Sequence, residues 1–234
     1  MHVFFQPDLD TAAIQLNEDE SKHCVRVLRL KKGDEVHLAD GKGTHALAQI
    51  GDDNPKRCVL GITRKENNSK NRTYYLHIII APTKNFERTE WFIEKAVEAG
   101  IDEITFIETQ NSERNKVNME RCEKIAVSAM KQSKQWWLPA INPIVKLSDA
   151  VASVENGLKL MAWCETNEEQ LLNDALKNDA QQTITVLIGP EGDFTAQEVE
   201  LAKRAGFQPV SLGKNILRTE TAALYACMAV KAIL

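Results

Sequence analysis

The strongest constraint on how this chain folds is the alternation of apolar runs with helix-like segments downstream of residue 73. The runs 76–80 and 184–188 are apolar almost throughout, as expected of strands buried on both faces of a sheet. Segment 87–99 is helix-like and stops at Gly100, and a capping box at 195–198 opens another helix. This repeated alternation predicts an α/β domain with a parallel sheet. Its other predicted elements are strands at 103–107, 159–163 and 209–212 and helices at 119–136 and 221–234.

Residues 64–73 mark the sharpest change in composition, because none of them has a large apolar side chain. Such a segment has nothing to bury and is predicted to be a linker. We therefore divide the chain into a first domain at 1–70 and a second at 74–234.

The first domain is predicted to be a small, mostly β, barrel-like domain. Segments 35–40 and 44–50 alternate polar with apolar residues, and the glycine-containing turn 41–43 joins them, which predicts a β-hairpin. A further strand is predicted at 58–63 and a single helix at 18–28.

Charge and cysteine usage exclude several classes of protein. The 29 basic and 33 acidic residues give a net charge of -4, so any nucleic-acid contact must come from local basic patches. The 5 cysteines are scattered singly, which argues against a disulfide framework or a thiolate zinc site, and the histidine spacing predicts no metal site. The chain begins without the features of a signal peptide, and its apolar runs are shorter than the ~20 residues of a membrane span. We expect a cytoplasmic protein.

Two segments could carry chemistry, and each leads from a predicted strand into a predicted helix. In 186–194, Gly189 and Gly192 flank Pro190-Glu191, and the missing side chains would let a flat ligand approach the backbone; a tight turn without a ligand explains the segment equally well. The second segment, 212–222, places Arg218 among small and hydroxyl residues. The final helix is apolar on nearly all faces, which fits either a core helix or a subunit interface.

The motif Gly189-Pro190-Glu191-Gly192, followed by Leu212-Gly213 and the sequence Ile-Leu-Arg-Thr-Glu-Thr-Ala at 216–222, resembles the ribosomal RNA small subunit methyltransferase E family. The resemblance extends over essentially the whole chain. Further matches lie at His23, 27–34, 94–100 and 112–114. The chain departs from the family pattern in three places. Asp193 stands in place of a second glycine, and Lys214-Asn215 replaces a pair that normally ends in arginine. Trp136-Trp137 follows 131–133, where the family often carries glycine and arginine.

The resemblance implies a fold and an activity. It implies a PUA-like β-barrel for RNA, a SPOUT-type α/β domain with a trefoil knot, and a homodimer. It also implies methylation of N3 of a uridine in 16S rRNA, within the 30S subunit, with S-adenosylmethionine as methyl donor. The cofactor-binding residues expected on this basis are Ile188, Gly189, Pro190, Glu191, Gly192, Leu212, Gly213, Ile216, Leu217, Arg218 and Thr219. The loop at Cys164 and Glu165 is a weaker candidate.

Arg218 is the expected catalytic residue. Uridine N3 carries a proton, so methylation requires stabilisation of an anion spread over N3 and the neighbouring carbonyl oxygens, and a guanidinium fork suits that charge. A salt bridge from Arg218 to Glu220 or Glu191 is the structural alternative. Glu191 fits either a general base or a helix cap.

Two local basic patches are candidates for RNA contacts. Residues 22–32 contain five basic side chains and no acid, and the helix at 119–136 carries a basic face that ends at Trp136 and Trp137. The predicted RNA-binding residues are Lys22, His23, Arg26, Arg29, Lys31, Lys32, Arg114, Lys131 and Lys134. Two alternatives to the leading function remain open, which are a SPOUT methyltransferase acting on another RNA or atom, and a non-catalytic RNA-binding ribosome assembly factor.

Overall fold

The computed structural model describes residues 1–70, 72–166, 170–178 and 182–234. The chain divides into two compact units. The first comprises Met1–Asn71 with Val127–Leu138, and the second comprises Arg72–Ala126 with Pro139–Leu234.

The first unit is built on a five-stranded sheet in the order β1-β3-β4-β5-β2. The predicted hairpin is confirmed, since β3 and β4 pair antiparallel. Phe4, Leu38, Ile50 and Leu60 are fully buried in its core. Its elements are β1 (Val3–Phe5), β2 (Ala13–Gln15), α1 (Glu18–Lys22), a π-helical turn (His23–Val27), β3 (Glu35–Ala39), β4 (Thr44–Asp52) and β5 (Val59–Asn67).

Two expectations for the first unit need correction. The linker prediction is wrong for Arg64 to Asn67, which continue β5 and pair with β4 as far as Thr44. Backbone pairing between antiparallel strands needs no buried side chain, and the side chains of this stretch are exposed. The helix predicted at 18–28 changes to a π-helical turn at His23, where the Leu28 N–H donates to the carbonyl of His23.

The second unit is an α/β domain, as predicted. Its six strands run parallel in the order β11-β9-β10-β6-β7-β8. The elements along this part of the chain are β6 (Tyr75–Ile80), α2 (Phe86–Ala99), β7 (Glu103–Glu108), α3 (Met119–Ser133), β8 (Ala140–Lys146), α4 (Leu147–Ser153), β9 (Leu158–Ala162), α5 (Leu172–Asn178), β10 (Thr183–Ile188), α6 (Ala196–Arg204), β11 (Gln208–Val210) and α7 (Thr219–Ile233). Helix α3 belongs to the second unit only as far as Ala126, and its later residues belong to the first. The sequence did not predict β8, α4 or α5, since the strand contains Pro143 and each helix has 7 residues, too few for a clear periodicity.

Local signals that the sequence identified are present in the second unit. Gly100 ends α2 in the left-handed conformation, with φ of 93°. Thr195 and Glu198 form the predicted capping box of α6. Helix α7 packs against α2, α5, β6 and β10 and buries Ala223 and Ala226, but it leaves Met228 49% exposed. No helix in the described ranges is both long and apolar enough to cross a membrane.

Candidate functional site

A cavity of about 290 Å³ lies at the carboxyl ends of β9, β10 and β11. This volume is near the lower end of the ~300–1,000 Å³ found for small-molecule sites. The carboxyl edge of a parallel sheet is where ligands bind in such folds, because helix amino ends and free backbone groups meet there. The residues that line the cavity come from the turns after these three strands and from the start of α7. They are Ala162, Trp163, Cys164, Ile188, Gly189, Pro190, Glu191, Asp193, Ser211, Leu212, Gly213, Lys214, Asn215, Ile216, Leu217, Arg218, Thr219 and Ala222.

The first wall is the turn after β10. A Cβ added at Gly189 would meet the Phe194 ring at 3.1 Å, and one at Gly192 would meet the Cβ of Asn111 at 3.1 Å. A side chain at either glycine would therefore fit only if its neighbour moved by a few tenths of an ångström. The Asn111 side-chain amide fixes the turn further, since its Nδ2 donates to the carbonyls of Gly192 and Asp193 at 3.0 and 2.9 Å. This rigid turn presents Gly189 to Glu191 to the cavity.

The second wall is the segment between β11 and α7. Gly213 has φ of 117°, a conformation that favours glycine, and its N–H donates to Ser211 Oγ at 3.2 Å. Ile216 borders the cavity although it is 85% exposed. Arg218 is the N-cap residue of α7, and its side chain makes no capping hydrogen bond. This wall therefore places an apolar side chain and a guanidinium beside the same cavity.

Arg218 does not form the salt bridge considered as an alternative. Glu220 lies instead 3.9 Å from Arg88 Nε, and Glu191 Oε1 accepts a hydrogen bond from the Lys84 N–H at 3.0 Å. Within the part of the chain that the structure describes, the Arg218 guanidinium has no ion-pair partner. A basic group without an internal partner beside a cavity is available to a ligand.

The third wall is the turn after β9, which the sequence suggested only weakly. Cys164 lines the cavity and is exposed, whereas the other four cysteines are buried. Burial of its sulfur, followed by the charge and hydrogen bond of Asp193, raises the pKa of the Cys164 thiol to about 11. The thiol is therefore protonated at neutral pH and is not an activated nucleophile.

The structure brings the predicted cofactor-binding residues together. Ten of the eleven border the cavity, and the exception is Gly192, which turns toward Asn111. Sequence reasoning missed Trp163 and Asp193. Trp163 immediately follows β9, so the rule that ligands bind at the carboxyl ends of parallel strands could have found it. The other lining residues outside the prediction are Ala162, Ser211, Lys214, Asn215 and Ala222.

The predicted RNA-binding residues of the first unit separate into two groups. Lys131 is engaged within the protein, since its Nζ lies 2.6 Å from Glu20 Oε1 and 5.7 Å from the centre of the Phe4 ring. Lys22 forms a salt bridge of 2.8 Å with Glu18. The remaining members are exposed, and they are His23, Arg26, Arg29, Lys31, Lys32 and Lys134.

Two other candidates for RNA contact are also held by neighbours. Arg114, in the second unit, donates to the carbonyls of Thr83 and Lys84 at 3.2 and 2.9 Å, so it ties its loop to the segment after β6. Trp136 stacks on His45 with ring centres 4.2 Å apart. One face of the Trp136 ring is therefore already covered.

Comparison with known proteins identifies the family. Residues 69–231 match the model of an RNA methyltransferase domain, and residues 16–63 match that of an RNA methyltransferase PUA domain. Ribosomal RNA small subunit methyltransferase E of Rickettsia conorii is 32% identical over 224 residues, which cover 95% of this chain and 91% of that protein.

Solved structures agree along the whole length. A probable rRNA-methyltransferase from Porphyromonas gingivalis has a TM-score of 0.91 at 39% identity and covers 100% of this chain and 98% of its own. The ribosomal RNA small subunit methyltransferase E from Neisseria gonorrhoeae, solved bound to S-adenosyl methionine, has a TM-score of 0.88 at 27% identity, with 100% and 98% covered. Since the two domain models, a curated relative and these structures all agree, this chain belongs to the ribosomal RNA small subunit methyltransferase E family.

Proposed function

We propose that this protein uses S-adenosylmethionine to methylate N3 of a uridine in 16S rRNA, within the 30S subunit and in the cytoplasm. The observation that carries the proposal is that two family motifs, 189–191 and 212–219, line the same cavity together with Arg218, which has no ion-pair partner among the described residues. The relatives named above support the methyltransferase activity. The uridine N3 specificity is an inference from the family resemblance and from the chemistry below.

The residues around the cavity fit the cofactor. S-adenosylmethionine, when bound, supplies a methyl group on a sulfonium centre. The wall of the cavity combines backbone of the two turns, the apolar Ile216 and Leu217, and the acidic Glu191. Such a lining suits a ligand with an aromatic base and an ammonium group. Backbone at 189–191, 212–213 and 216–219 would hold it.

Arg218 would act on the uracil. Proton loss from N3 leaves a negative charge shared between N3 and the two adjacent carbonyl oxygens. A guanidinium presents several N–H donors in a fixed plane, so it stabilises such a charge most strongly in a site with little water. Because Arg218 has no internal carboxylate partner in the described chain, its charge is not neutralised before substrate arrives.

The first unit would bind the rRNA. The π-helical turn buries Cys24 and leaves Arg26 and Val27 exposed, and the exposed Arg29, Lys31 and Lys32 follow it. Phosphate neutralisation by such side chains gives affinity that weakens as salt is added. We propose that RNA binding depends mainly on these exposed residues. Smaller contributions are expected from Lys22 and Lys131, which form ion pairs, and from Arg114, which is hydrogen-bonded to backbone carbonyls.

Two family features complete the proposal. The trefoil knot is proposed from the family resemblance, and the turns after β9, β10 and β11 that line the cavity are where we expect it. Helices α2 and α7 pack together and leave Trp91 43% and Met228 49% exposed, which favours a second copy of the chain as the partner that covers this apolar surface.

Labelled S-adenosylmethionine, incubated with the protein and 30S subunits, tests the function directly. We expect label on N3 of a single uridine, located by mass spectrometry of 16S rRNA fragments. Label on another atom or RNA would favour a different SPOUT methyltransferase. Absence of label together with retained RNA binding would favour an assembly factor.

Charge reversal of Arg26 and Arg29 to Glu tests the RNA surface. We expect rRNA affinity to fall by roughly 10-fold or more. Because two phosphate contacts are lost, the slope of log affinity against log salt concentration should become less negative by about one to two. Affinity for S-adenosylmethionine should stay unchanged. The control is Arg57→Glu, an exposed charge reversal in the same unit. Equal effects of the two variants on RNA binding would contradict a specific role for this segment.

A further inference from the structure

Asp193 connects two walls of the cavity through one carboxylate. Its backbone φ is 57°, in the left-handed region that Asp and Asn adopt more readily than most residues. Asp193 Oδ1 accepts a hydrogen bond from the Phe194 N–H at 2.8 Å, which stabilises its own turn. Asp193 Oδ2 accepts one from the Cys164 N–H at 3.1 Å, which reaches the turn after β9. Asp193 and Cys164 both border the cavity.

We propose that Asp193 is a positioning residue that fixes the turn after β9 against the turn after β10 and thereby holds the cavity at the width its nucleoside ligand needs. The inference rests on the proposed function for the identity of that ligand. It assigns Asp193 no contact with the reacting atoms. Its effect on the ligand is exerted through the position of Cys164.

Within the described part of the chain, the turn after β9 makes few other polar contacts with neighbouring segments near the cavity, and Trp163 also packs against the hydrophobic core. Trp163 N–H donates to Val210 O at 3.3 Å, and Lys203 lies 5.7 Å from the centre of the Trp163 ring. Cys164 itself is exposed. Because a hydrogen bond to a carboxylate is about twice as strong as a neutral one, Asp193 is the strongest tie that the described contacts give to this backbone.

Loss of this tie should affect binding more than chemistry. If the turn after β9 is free, the ligand must order it on binding, and that cost appears as weaker affinity. Once the ligand is bound, the cavity has the same shape in variant and wild type, so turnover at saturation should change little. The expected signature is a raised KM with a nearly unchanged kcat.

Two variants separate the carboxylate from the backbone conformation. Asp193→Gly removes the side chain and relieves the left-handed backbone. Asp193→Asn keeps that conformation and one oxygen for Phe194, but it places an amide N–H where Oδ2 accepts from Cys164. We expect the dissociation constant for S-adenosylmethionine, measured by calorimetry, to rise by roughly 10-fold in both variants. Asp174→Asn, an exposed acid that does not line the cavity, is the control.

Alkylation of Cys164 gives a second readout on the ligand-free protein. Because Cys164 is the exposed cysteine and the other four are buried, iodoacetamide should react with it selectively in the folded protein. Burial of the sulfur is the largest cause of the raised Cys164 pKa, and the charge and hydrogen bond of Asp193 come next, so loss of the carboxylate should lower that pKa and both variants should react faster at pH 8. The far-ultraviolet circular dichroism spectrum verifies that each variant is folded.

The outcomes separate this inference from the proposed function. Raised dissociation constants with faster alkylation support the positioning role. Unchanged affinity in both variants would overturn it whatever the alkylation rate, because removal of the Asp193 charge by itself speeds alkylation. A lower melting temperature with unchanged affinity would mark a purely structural residue. If the wild-type protein does not bind S-adenosylmethionine, the proposed function fails, whereas faster alkylation of the variants would still show that the Asp193 carboxylate acts on Cys164 in the folded protein.

Discussion

The six-stranded sheet of the second unit carries polar side chains at both ends. The polar side chains at the amino end bind one another. Arg218 at the carboxyl end, by contrast, has no salt bridge in the described chain. At the amino end, Glu103 accepts hydrogen bonds from Tyr75 OH at 2.9 Å and from Asn142 Nδ2 at 2.6 Å. His77 Nε2 and Asn142 Nδ2 both contact Thr105 Oγ1, at 2.8 and 2.9 Å. The two ends therefore differ in one respect: the polar groups named at the amino end bind one another, whereas the carboxyl end keeps one charged side chain, Arg218, without an ion-pair partner in the described chain.

This difference separates structural polar groups from available ones. A buried polar group is costly unless it is hydrogen-bonded, and the network at the amino end meets that requirement without a ligand. Arg218 is exposed, so water satisfies it until a ligand arrives. Titratable residues alone therefore do not identify a site in this molecule. A charged side chain that borders a cavity and has no internal ion-pair partner does identify one.

The largest effect that would test this comparison is expected from Arg218→Ala. Removal of a donor that stabilises the developing anion should lower kcat by roughly 10²–10³-fold. Affinity for S-adenosylmethionine should change far less, and the melting temperature should hardly change, because the Arg218 side chain makes no helix-capping bond. Single-turnover methylation, calorimetry and thermal unfolding measure the three quantities. Arg204→Ala, an exposed arginine outside the cavity, is the matched control. An unchanged rate would remove Arg218 from the mechanism.

A smaller effect, on stability rather than activity, is expected from Glu103→Gln. The substitution leaves an amide oxygen for Asn142 and an amide N–H for the Tyr75 hydroxyl oxygen, so both hydrogen bonds lose the extra strength that a charged carboxylate gives them. We expect a loss of about 1–3 kcal/mol in the free energy of unfolding, measured by urea denaturation, with kcat unchanged. The exposed Glu200→Gln serves as control. A selective loss of kcat in Glu103→Gln would place catalysis at the amino end and reverse the comparison.

The smallest effect concerns the pH dependence of stability at His77. Burial lowers the pKa of His77 below its ordinary value of 6.5, and the Glu103 carboxylate opposes this only in part. His77 therefore takes up a proton at higher pH in the unfolded chain than in the folded one. Its protonation leaves the free energy of unfolding unchanged above about pH 6.5 and lowers it as the pH falls further. His77→Gln keeps a donor for Thr105 and removes the titration. Urea denaturation at pH 7.5, 6.5 and 5.5 should give a shallower acid slope in the variant, and identical slopes would contradict this assignment.

Local patterns predicted much of the fold correctly. The capping box at Thr195 and the left-handed Gly100 depend on residues within one helical turn, and the apolar runs of β6 and β10 depend on burial of both strand faces. The prediction of a linker at Arg64 was wrong because side-chain polarity was taken to exclude pairing, whereas the backbone of β5 pairs regardless. Strand β8 went unrecognised because its polar and apolar residues follow neither period.

The sequence by itself determined the alternating α/β pattern, the family motifs and the residue types of the candidate site. Only the tertiary structure decided that β9 lies between β10 and β11, which adds Trp163 to the cavity wall beside Cys164, the weaker candidate from the sequence. It also decided that Lys131 is held by Glu20 while Arg218 has no salt bridge in the described chain. The physical reason is the range of the interactions: caps and periodicity act over a few residues, whereas strand order and ion pairing depend on packing between segments far apart in the chain.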